Sequence, residues 1–429
     1  MNIDQALSYI HHVNWQGSKP GLSRTRELLS SLHNPEQQLR FIHIAGTNGK
    51  GSVAACLSAV LQEAGYTVGL YTSPYIHTFN ERIQVNGKNI SDAALCRRIE
   101  EIQPFADRMA DAPTEFELIT ALAFLHFQKE ACDIVILEAG MGGALDSTNV
   151  ISTPEVSVLT SISLDHVKEL GPTIADIART KAGIIKPHGC AVCYGGEQTV
   201  NEVLRQAADR QQAELSFVDF DRLHMISADA GGCVFDFGGL QGIQLPLAGT
   251  YQPKNAALAI TVLETLRQKG WPVSDRQIVR GLARVSWPGR FELLRRHPFF
   301  VLDGAHNPDG IRATAQSLSA LFPRQKIIFL VGVMADKDVP RMMDCIAPLA
   351  GGFITVAPHN PRAMDASRLA ELLSRYGKPV VPCDTIAQGV SSAFSLAGDL
   401  PVCALGSLYF SADVKNAVLE YGKHEKTAQ

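Results

Sequence analysis

The stretch FIHIAGTNGKGS, residues 41–52, constrains the fold more than any other part of the chain. An apolar run over Phe41–Ala45 predicts a buried strand, and apolar residues at helical spacing after Ser52 predict a helix. A glycine-rich turn between a strand and a helix is typical of loops that bind phosphate. Lys50 adds a full positive charge, and Ser52 is expected to hold a magnesium ion. The predicted phosphate-binding residues are Gly46, Thr47, Asn48, Gly49, Lys50, Gly51 and Ser52.

This loop departs from the strict P-loop pattern at two positions. Ile44 occupies the place of the first glycine, and Gly51 separates Lys50 from Ser52. The alternative interpretation is an ordinary strand-to-helix turn with a solvated lysine. The order of strand, turn and helix favours the phosphate-binding interpretation.

Composition indicates a globular protein with two domains. A chain of 429 residues is too long for one ordinary core, and 46% hydrophobic residues suffice for two. A formal net charge of -4 without any basic run argues against a nucleic-acid partner. The first residues lack a basic segment followed by an apolar one, and no stretch approaches the ~18 apolar residues of a membrane span. We therefore expect a cytoplasmic protein with no membrane partner.

The nine cysteines are scattered along the chain, which predicts free thiols in a reducing compartment. Cys190 and Cys193 form the one CxxC pair, within the apolar run CAVCY. In a strand these two side chains face opposite sides. We predict buried strand cysteines, with a redox pair as the alternative.

Apolar strands alternate with helical stretches along most of the chain. Strands are predicted in TVGLYTS, DIVILEAG, EVSVLTSISLDH and CAVCY, and the alternation resumes after a hinge at SWPGR. This pattern indicates parallel sheets covered on both faces. The prediction is an α/β protein with a P-loop-type domain and a mainly parallel sheet over residues 1–287. A smaller, Rossmann-like α/β domain is predicted over residues 288–429.

Two local features are predicted in the first domain. Asn86-Gly87 is a strong signal for a hairpin turn. From about Leu215 to Leu247, short alternating runs suggest antiparallel strands at the edge of this domain.

Polar residues follow three of the predicted strands. Ser73, Glu138 and His166 stand at the ends of their apolar runs. Ligands collect at the carboxyl ends of parallel strands, and P-loop proteins keep an acidic residue there for magnesium. The alternatives are a glutamate that caps the next turn and a structural histidine.

Further motifs cover nearly the whole chain in a fixed order. They are LYTSPYIHTFNERI, PTEFELITALA, ILEAGMGGALDSTN, SISLDHVKELG, ARTKAGIIK, YQPKNAALA, WPGRFE, DGAHNPDG and GSLYF. With these motifs the sequence resembles the folylpolyglutamate synthase and dihydrofolate synthase family, relatives of the Mur ligases. The resemblance implies a magnesium-dependent ligase with ATP as co-substrate. ATP would phosphorylate the terminal carboxylate of a reduced folate, and the amine of L-glutamate would attack the acyl phosphate to form an amide.

The resemblance also implies roles for single residues. Ser73, Glu138 and His166 match magnesium ligands, and Lys181 matches a lysine that the family carbamylates. A carbamate would replace a neutral amine with an anionic oxygen ligand suited to magnesium. Lys50, His166 and Lys181 are the predicted catalytic residues.

Family nucleotide contacts are matched in both predicted domains, by Asn255, Arg290, Asp303 and His306. Divided contacts would let domain closure expel water from the acyl phosphate. The alternatives are a surface arginine at a hinge for Arg290 and a helix N-cap for Asp303.

A third group of residues is expected to contact the folate. Phe116 and Asp146 match positions that hold the pterin ring in relatives with dihydrofolate synthase activity, and Thr114 belongs to the same TEFE motif as Phe116. An aromatic face and a carboxylate suit a flat heterocycle rich in N–H donors. A helical core stripe is the alternative for Phe116. Arg82 is predicted to contact substrate or ATP.

The family motifs leave several properties open. They do not decide whether the chain also joins glutamate to dihydropteroate, or whether it needs a monovalent cation. A monomer is the family expectation.

Two other functions compete with the folate ligase. A nucleotide-gated switch or GTPase is suggested by the phosphate loop and by ADKD, residues 335–338, which loosely imitates a guanine-reading motif. A Mur-like ligase acting on a cell-wall precursor would keep the chemistry and change the substrate. TEFE and FNERI favour the folate substrate.

Overall fold

The computed structural model describes residues 1–12 and 21–428, with helices and strands that alternate along most of that range. The strands are β1 (Phe41–Ala45), β2 (Val68–Tyr71), β3 (Ile83–Val85), β4 (Lys88–Asn89), β5 (Ile134–Glu138), β6 (Val156–Leu159), β7 (Cys190–Cys193), β8 (Glu214–Phe217), β9 (Leu223–Asp229), β10 (Gly232–Phe237), β11 (Leu240–Leu245), β12 (Glu292–Arg296), β13 (Phe299–Asp303), β14 (Ile327–Val331), β15 (Ala350–Thr355), β16 (Val380–Pro382) and β17 (Val402–Leu405). The helices are α1 (Ile3–His12), α2 (Ser23–Ser31), α3 (Lys50–Glu63), α4 (Asp92–Ala106), α5 (Glu115–Lys129), α6 (Val167–Leu170), α7 (Ile174–Ala182), α8 (Gln198–Gln211), α9 (Gln252–Gln268), α10 (Asp275–Leu282), α11 (Pro308–Leu321), α12 (Val339–Ile346), α13 (Ala366–Ser374), α14 (Ile386–Ala397) and α15 (Ser411–Ala428). Short 3-10 helices span Pro35–Gln38, Phe79–Arg82, Ser147–Val150, Phe220–Arg222 and Ala347–Leu349.

The larger sheet has eight strands in the order β4-β3-β2-β5-β1-β6-β7-β8. The strands from β2 to β8 in that order pair in parallel, and β3 and β4 add an antiparallel hairpin at one edge. The hairpin turns at Asn86 and Gly87, which both have positive φ, as the sequence predicts. Every residue of β1 and β5 is buried because helices cover both faces of the sheet. The prediction of a mainly parallel N-terminal sheet is confirmed.

The smaller sheet has six strands in the order β12-β13-β17-β14-β15-β16. The strands from β13 to β16 in that order pair in parallel, which confirms the predicted C-terminal α/β domain. Strand β12 is absent from the sequence prediction and pairs antiparallel with β13. Its residues are partly exposed and include charged side chains, so they lack the apolar run that marks the buried strands.

The region from Leu215 to Leu247 differs from its prediction. Leu215 lies in β8, which pairs in parallel with β7 as part of the larger sheet. Helix α8 connects β7 to β8, and a helical crossover joins parallel strands. Only the later strands, β9 to β11, form a separate three-stranded sheet.

The strand predicted over residues 155–166 is shorter than expected. Strand β6 ends at Leu159, seven residues before His166. Thr160 still donates its N–H to the carbonyl oxygen of Ala45 (2.9 Å), and the chain then turns toward the phosphate loop. Polar side chains after Leu159 bond to that loop, which ends the strand. His166 is therefore not a strand-end residue, and that prediction is wrong.

Helices α3 and α5 fill the interior beside the larger sheet. Nearly every residue of α5 from Glu117 to Phe127 is buried, and α3 is buried from Gly51 to Leu61 apart from Ala59. Burying a large apolar side chain contributes about 1.5–3 kcal/mol, so these two helices are anchored by many such contributions. Their first turns are therefore held firmly at the edge of the sheet. Among the described residues, no helix is both long and apolar enough to cross a membrane.

The chain divides into two compact units. The first unit comprises Met1–Leu223, Phe237–Ile243 and Lys254–Val285, and the second comprises His224–Asp236, Gln244–Pro253 and Ser286–Gln429. The main segment of the second unit begins within SWPGR, the predicted hinge. A single domain boundary between residues 287 and 288 stays a prediction.

The nine cysteines are free thiols, and seven of them are buried. Cys190 and Cys193 lie in β7, where Cys193 is fully enclosed. Burial raises the pKa of both thiols above its ordinary value. Protonated thiols in a strand fit the structural interpretation better than a redox pair.

We expect Gly281→Ala to destabilise the first unit. A Cβ at Gly281 in α10 would lie 2.5 Å from Cα of Val60 in α3, and backbone cannot move aside cheaply. Overpacking costs about 1–3 kcal/mol. Alanine gains about 1 kcal/mol over glycine in a helix, so we expect a net loss of free energy of unfolding. Gly422→Ala in α15 is the control, because nothing lies within 4 Å of its added Cβ. Equal denaturation midpoints for the two variants would contradict this prediction.

Candidate active site

The phosphate loop lies between β1 and α3 and depends on two glycines. Gly46 and Gly49 have φ of 153° and 93°, and Gly49 is the N-cap of α3. A Cβ at Gly46 would lie 1.8 Å from Oγ1 of Thr160, and one at Gly49 would lie 2.7 Å from Oδ1 of Asn255. A side chain at either position would thus clash as well as strain the backbone. The packing also brings Asn255, a predicted nucleotide contact, beside the loop.

The segment after β6 braces the phosphate loop. Thr47 and Asn48 donate their N–H groups to the carbonyl oxygen of Ser161 (2.8 and 3.3 Å). Thr47 Oγ1 donates to the carbonyl oxygen of Ser163 and accepts its N–H (3.0 and 3.1 Å). Thr47 and Asn48 are predicted phosphate contacts, and here their N–H groups are hydrogen-bonded within the protein.

The first turn of α3 supplies the remaining backbone donors. The first bond within the helix runs from the Val53 N–H to the Gly49 carbonyl oxygen (2.9 Å). The N–H groups of Gly49, Lys50, Gly51 and Ser52 precede it, and such groups at a helix start have no partner within the helix. A helix terminus of this kind suits an anion, and the binding of phosphate by these groups stays a prediction.

Two lysines meet at one carbonyl oxygen of this loop. Lys50 Nζ donates to the carbonyl oxygens of Gly46 (3.1 Å) and Thr47 (3.3 Å), and Lys181 Nζ donates to that of Gly46 (2.7 Å). Burial, and then repulsion by Lys50, lower the pKa of Lys181 to about 7, although Asp165 and Asp146 oppose the shift. A large share of Lys181 is therefore a neutral amine near neutral pH.

Ser73 and Glu138 are brought together at the ends of β2 and β5. Glu138 is the last residue of β5 and is 4% exposed, and its Oε2 accepts the Ser73 N–H (3.1 Å). No group of three or more His, Cys, Asp or Glu side chains in the described part of the chain could hold a metal. Magnesium typically uses one or two carboxylates together with water and phosphate oxygens, so a lone buried carboxylate beside a phosphate loop fits this ion.

His166 lies at the start of the short helix α6. It is the N-cap of that helix with φ of 50°, a conformation that non-glycine residues seldom adopt. Its side chain is 38% exposed, with Asp165 and Glu169 at 4.0 and 3.9 Å from its ring nitrogens. The loop after β6 thus carries His166 away from its predicted position, and its role as a metal ligand stays a prediction.

Phe116 and Thr114 occupy the first turn of α5. Thr114 is the N-cap, and its side chain and that of Glu117 form a capping box. The Phe116 ring covers Gly140, where an added Cβ would lie 2.5 Å from Cζ of the ring, and it packs 5.9 Å from the ring of Tyr71. The ring is partly buried against the core, which agrees with the core interpretation, while contact with substrate stays a prediction.

Asp146 organises the loop that follows β5. Its Oδ2 accepts the Met141 N–H (2.8 Å), and its Oδ1 accepts the N–H (3.0 Å) and the hydroxyl (2.5 Å) of Thr148. Burial raises the pKa of this carboxyl, although these bonds oppose the shift. The carboxylate is thus engaged within its own loop, while contact with substrate stays a prediction.

A buried histidine completes this network and was missed from the sequence. His43 Nε2 lies 2.8 Å from Oγ1 of Thr148, whose proton is directed to Asp146. The histidine therefore donates from Nε2, and burial lowers its pKa to about 3, so it is neutral. His43 stands inside the apolar run of β1, where sequence periodicity marks a core position and nothing reveals its partner.

Arg82, which belongs to the FNERI motif, lies over two aromatic rings. Its guanidinium carbon is 5.3 Å from the ring centre of Tyr75 and 5.9 Å from that of Phe79. These cation–π contacts hold the side chain in place. Its predicted contact with substrate or ATP stays a prediction.

In the second unit, Asp303 is the centre of a buried polar cluster. It ends β13 and is 2% exposed. Its Oδ1 accepts the Ala305 N–H (3.0 Å), and its Oδ2 accepts the hydroxyls of Tyr251 (3.1 Å) and Thr314 (2.8 Å). Asn307 caps α11, so the alternative of Asp303 as that N-cap is wrong. Tyr251 is a partner that the sequence did not reveal.

Arg290 and His306 lie at the same end of β13. His306 Nδ1 is 3.0 Å from the Gly304 carbonyl oxygen, and Arg290 Nη1 would lie 3.1 Å from a Cβ at Gly304. The predicted nucleotide contacts of this unit are therefore close to one another. Their contact with a nucleotide stays a prediction.

Comparison with known families defines the class of protein. Residues 44–263 match the Mur ligase middle domain, and residues 289–407 match the glutamate ligase domain of Mur ligases. These matches agree with the phosphate loop of the first unit and the α/β fold of the second.

Relatives over the full length narrow the class further. Folylpolyglutamate synthase of Lacticaseibacillus casei is 37% identical, with 98% of this chain and 99% of that protein covered. Dihydrofolate synthase/folylpolyglutamate synthase of Bacillus subtilis is 38% identical, with 96% and 97% covered. The solved Mycobacterium tuberculosis folylpolyglutamate synthase with ADP and AMPPCP is 32% identical at a TM-score of 0.89, with 97% of this chain and 99% of that chain covered. This chain belongs to the folylpolyglutamate synthase and dihydrofolate synthase family.

Family membership argues against both competing functions. Neither a switch nor a ligase for cell-wall precursors is favoured by relatives that bear folate-ligase names. The ADKD segment also has a structural explanation, because the Asp338 side chain accepts the Arg341 N–H and caps α12.

We expect Thr148→Val to destabilise the first unit more than Thr148→Ser. Valine keeps the shape of threonine but leaves the Nε2–H of buried His43 without its acceptor, at a cost of about 1–3 kcal/mol. It also removes one of the three hydrogen bonds to Asp146 described above, while the two from backbone N–H groups remain. Serine keeps the hydroxyl and loses one methyl group, which costs about 1 kcal/mol. Urea denaturation of the two variants measures the difference. A valine variant as stable as the serine variant would show that the hydroxyl contributes nothing.

Proposed function

We propose that this chain joins L-glutamate to a reduced folate through an acyl-phosphate intermediate, with ATP as co-substrate. The observation that carries the proposal is that the phosphate loop with Lys50 follows β1, while buried Glu138 ends the neighbouring strand β5. That arrangement suits transfer of a phosphoryl group with the help of magnesium. A solved folylpolyglutamate synthase complex with AMPPCP and folate is 35% identical at a TM-score of 0.86, with 98% of this chain and 100% of that chain covered.

The chain's own residues supply part of the electrostatic stabilisation of this reaction. A folate carboxylate that approaches a triphosphate meets strong repulsion, which the N–H groups of α3 and the ammonium of Lys50 offset. Placement and charge neutralisation are the main catalytic effects in such transfers. Magnesium, when bound, would screen the phosphate oxygens. The residues proposed to hold it are Ser52, Ser73, Glu138, His166 and Lys181.

Carbamylation of Lys181 is part of the proposal. Its lowered pKa leaves a neutral amine, the form that attacks carbon dioxide. The amine nitrogen would bond to the carbon of carbon dioxide and release one proton to solvent. The product is an anion beside Lys50, so the charge that now repels the Lys181 ammonium would stabilise the carbamate.

The dihydrofolate synthase reaction is the second candidate. It is favoured by the Bacillus subtilis relative, which is named for both activities. The half-buried Phe116 ring against Gly140 is a flat apolar surface that suits the pterin shared by the two substrates. The contacts of Asn255, Arg290, Asp303 and His306 with nucleotide, and of Arg82, Thr114 and Asp146 with substrate, are proposed from the family motifs. Cytoplasmic location and a monomeric state likewise remain predictions, and the need for a monovalent cation stays open.

One assay tests the proposed function directly. ADP release is measured with ATP and magnesium, with and without L-glutamate, and with tetrahydrofolate or dihydropteroate offered separately. The expected result is ADP release that requires glutamate together with tetrahydrofolate. Mass analysis of the products then decides whether dihydropteroate is also used. ADP release that ignores both substrates would remove the proposal.

We expect Lys50→Ala to lower turnover by at least ~100-fold, the scale of losing one positioned electrostatic group. Lys88→Ala is the control, because Lys88 is an exposed residue of the β3–β4 hairpin. The measurement is kcat at saturating ATP, glutamate and tetrahydrofolate. Near-normal turnover of Lys50→Ala would refute the role of this lysine.

We expect a carbamate on Lys181 whose amount rises with pH. An amine with a pKa of about 7 is protonated below that pH and neutral above it, so carbamylation should increase from about pH 6 to about pH 8 at constant dissolved carbon dioxide. Carbon-13 NMR with labelled carbon dioxide measures the carbamate. Lys181→Met should abolish the signal. Lys186→Met is the matched control, since Lys186 is also partly buried with a pKa of about 8. A signal that survives in Lys181→Met and disappears in Lys186→Met would place the carbamate on Lys186 and contradict this prediction.

A further inference from the structure

Arg24 of α2 forms a buried ion pair with the first turn of α5. Its Nε and Nη2 donate to Oε2 and Oε1 of Glu117, both at 2.9 Å, in a two-pronged arrangement. Its Nη1 donates to Oδ2 of Asp111 (3.1 Å). Arg24 is 7% exposed and Glu117 is 3% exposed, so this pair is enclosed by protein.

A buried charge pair of this kind is costly to build. Desolvation of two ions offsets much of their attraction, and apolar residues of the same volume are often at least as stable. What the pair does provide is direction, because a planar guanidinium bonds a carboxylate in one geometry. Arg24 therefore contributes more to the orientation of Glu117 than to the free energy of unfolding.

The position that Arg24 fixes is the start of α5. Glu117 Oε2, which accepts from Arg24, also accepts the Thr114 N–H (2.7 Å). Phe116 lies between these two residues, with its ring over Gly140. Arg24 thus reaches the turn that carries Thr114 and Phe116 through the carboxylate of Glu117.

We propose that Arg24 is a positioning residue for folate: through Glu117 it holds the first turn of α5 in the orientation in which Thr114 and Phe116 meet the pterin end of the substrate. The inference rests on the proposed function. It places a determinant of folate affinity on α2, outside the motifs that carry the chemistry. The residues proposed to contact ATP lie outside this turn, so we expect Arg24 to affect the Michaelis constant of folate and to leave those of ATP and glutamate nearly unchanged.

The first experiment compares Michaelis constants in full-length variants. Arg24→Met should raise the KM for tetrahydrofolate about tenfold, because a displaced contact group loses much of its binding contribution. Arg24→Lys should raise it several-fold, because an ammonium lacks the planar fork that donates to both carboxylate oxygens of Glu117 and to Asp111. KM values for ATP and glutamate should stay within about twofold. Arg26→Lys is the matched control, as Arg26 is exposed on the same helix.

The second experiment separates positioning from stability. Glu117→Gln keeps an acceptor for the Thr114 N–H, because glutamine also serves in a capping box, but it breaks the ion pair. The double variant Arg24→Met with Glu117→Gln removes both charges and leaves no unpaired ion in the core. We expect its melting temperature to recover relative to Arg24→Met while its folate KM stays raised.

The outcomes distinguish the two levels of the proposal. If the unmodified chain releases ADP without regard to folate and glutamate, the proposed function fails, and this inference with it. If the unmodified chain needs both substrates, an unchanged folate KM in Arg24→Lys and Arg24→Met overturns this inference alone. A folate KM that returns to normal in the double variant, or KM values that rise equally for all three substrates, overturns it as well.

Discussion

The convergence of Lys50 and Lys181 on the carbonyl oxygen of Gly46 is the interaction on which the candidate site depends. Two ammonium groups repel each other at such short range, and one of them is buried. Burial of Lys181 first, and repulsion by Lys50 second, favour loss of its proton and lower its pKa. The loop is therefore prepared for added negative charge. An anion at this position, whether phosphate or carbamate, would remove the repulsion.

Glycines let two backbone segments pack closely beside Lys181. At Gly143 an added Cβ would lie 2.8 Å from the carbonyl oxygen of Lys181, and at Gly183 one would lie 2.4 Å from Cβ of Ala144. Asn149 joins the same surfaces, donating to the carbonyl oxygens of Ala144 and Gly183 (3.0 and 3.1 Å). The loop after β5 and the end of α7 therefore lie backbone against backbone. This close fit keeps Lys181 buried where it meets the phosphate loop.

Patterns in the sequence predicted the elements that have one strong local cause. The strand, turn and helix around Lys50 follow from an apolar run, glycines and helical spacing, and Glu138 was correctly placed at the end of β5. Strand β12 was missed because its residues are charged and half-exposed. His166 was misplaced because Thr160 and the serines after it bond to a loop more than a hundred residues earlier, which no local pattern encodes.

The partners of buried polar groups were the hardest part of the site to predict. His43 and Thr148 are 105 residues apart, and Arg24 and Glu117 are 93 apart. Each residue alone resembles an ordinary core or surface position, and only the fold shows the pair. The family resemblance supplied residues that are predicted to contact ligands, but not the residues that hold them in place. Sequence reasoning thus named candidate site residues and missed the buried groups that position them.

The enclosed thiols have a practical consequence for work with this protein. Electrophilic reagents attack the thiolate, and burial keeps the sulfhydryls of Cys132 and Cys233, with pKa values raised to about 12, in their unreactive form. Cys190 and Cys345 are the partly open ones, and burial raises their pKa too. A cysteine introduced on an exposed residue of each unit would therefore react with a maleimide dye far faster than the native ones. Such a label would report on the unit that carries it without prior replacement of the native cysteines.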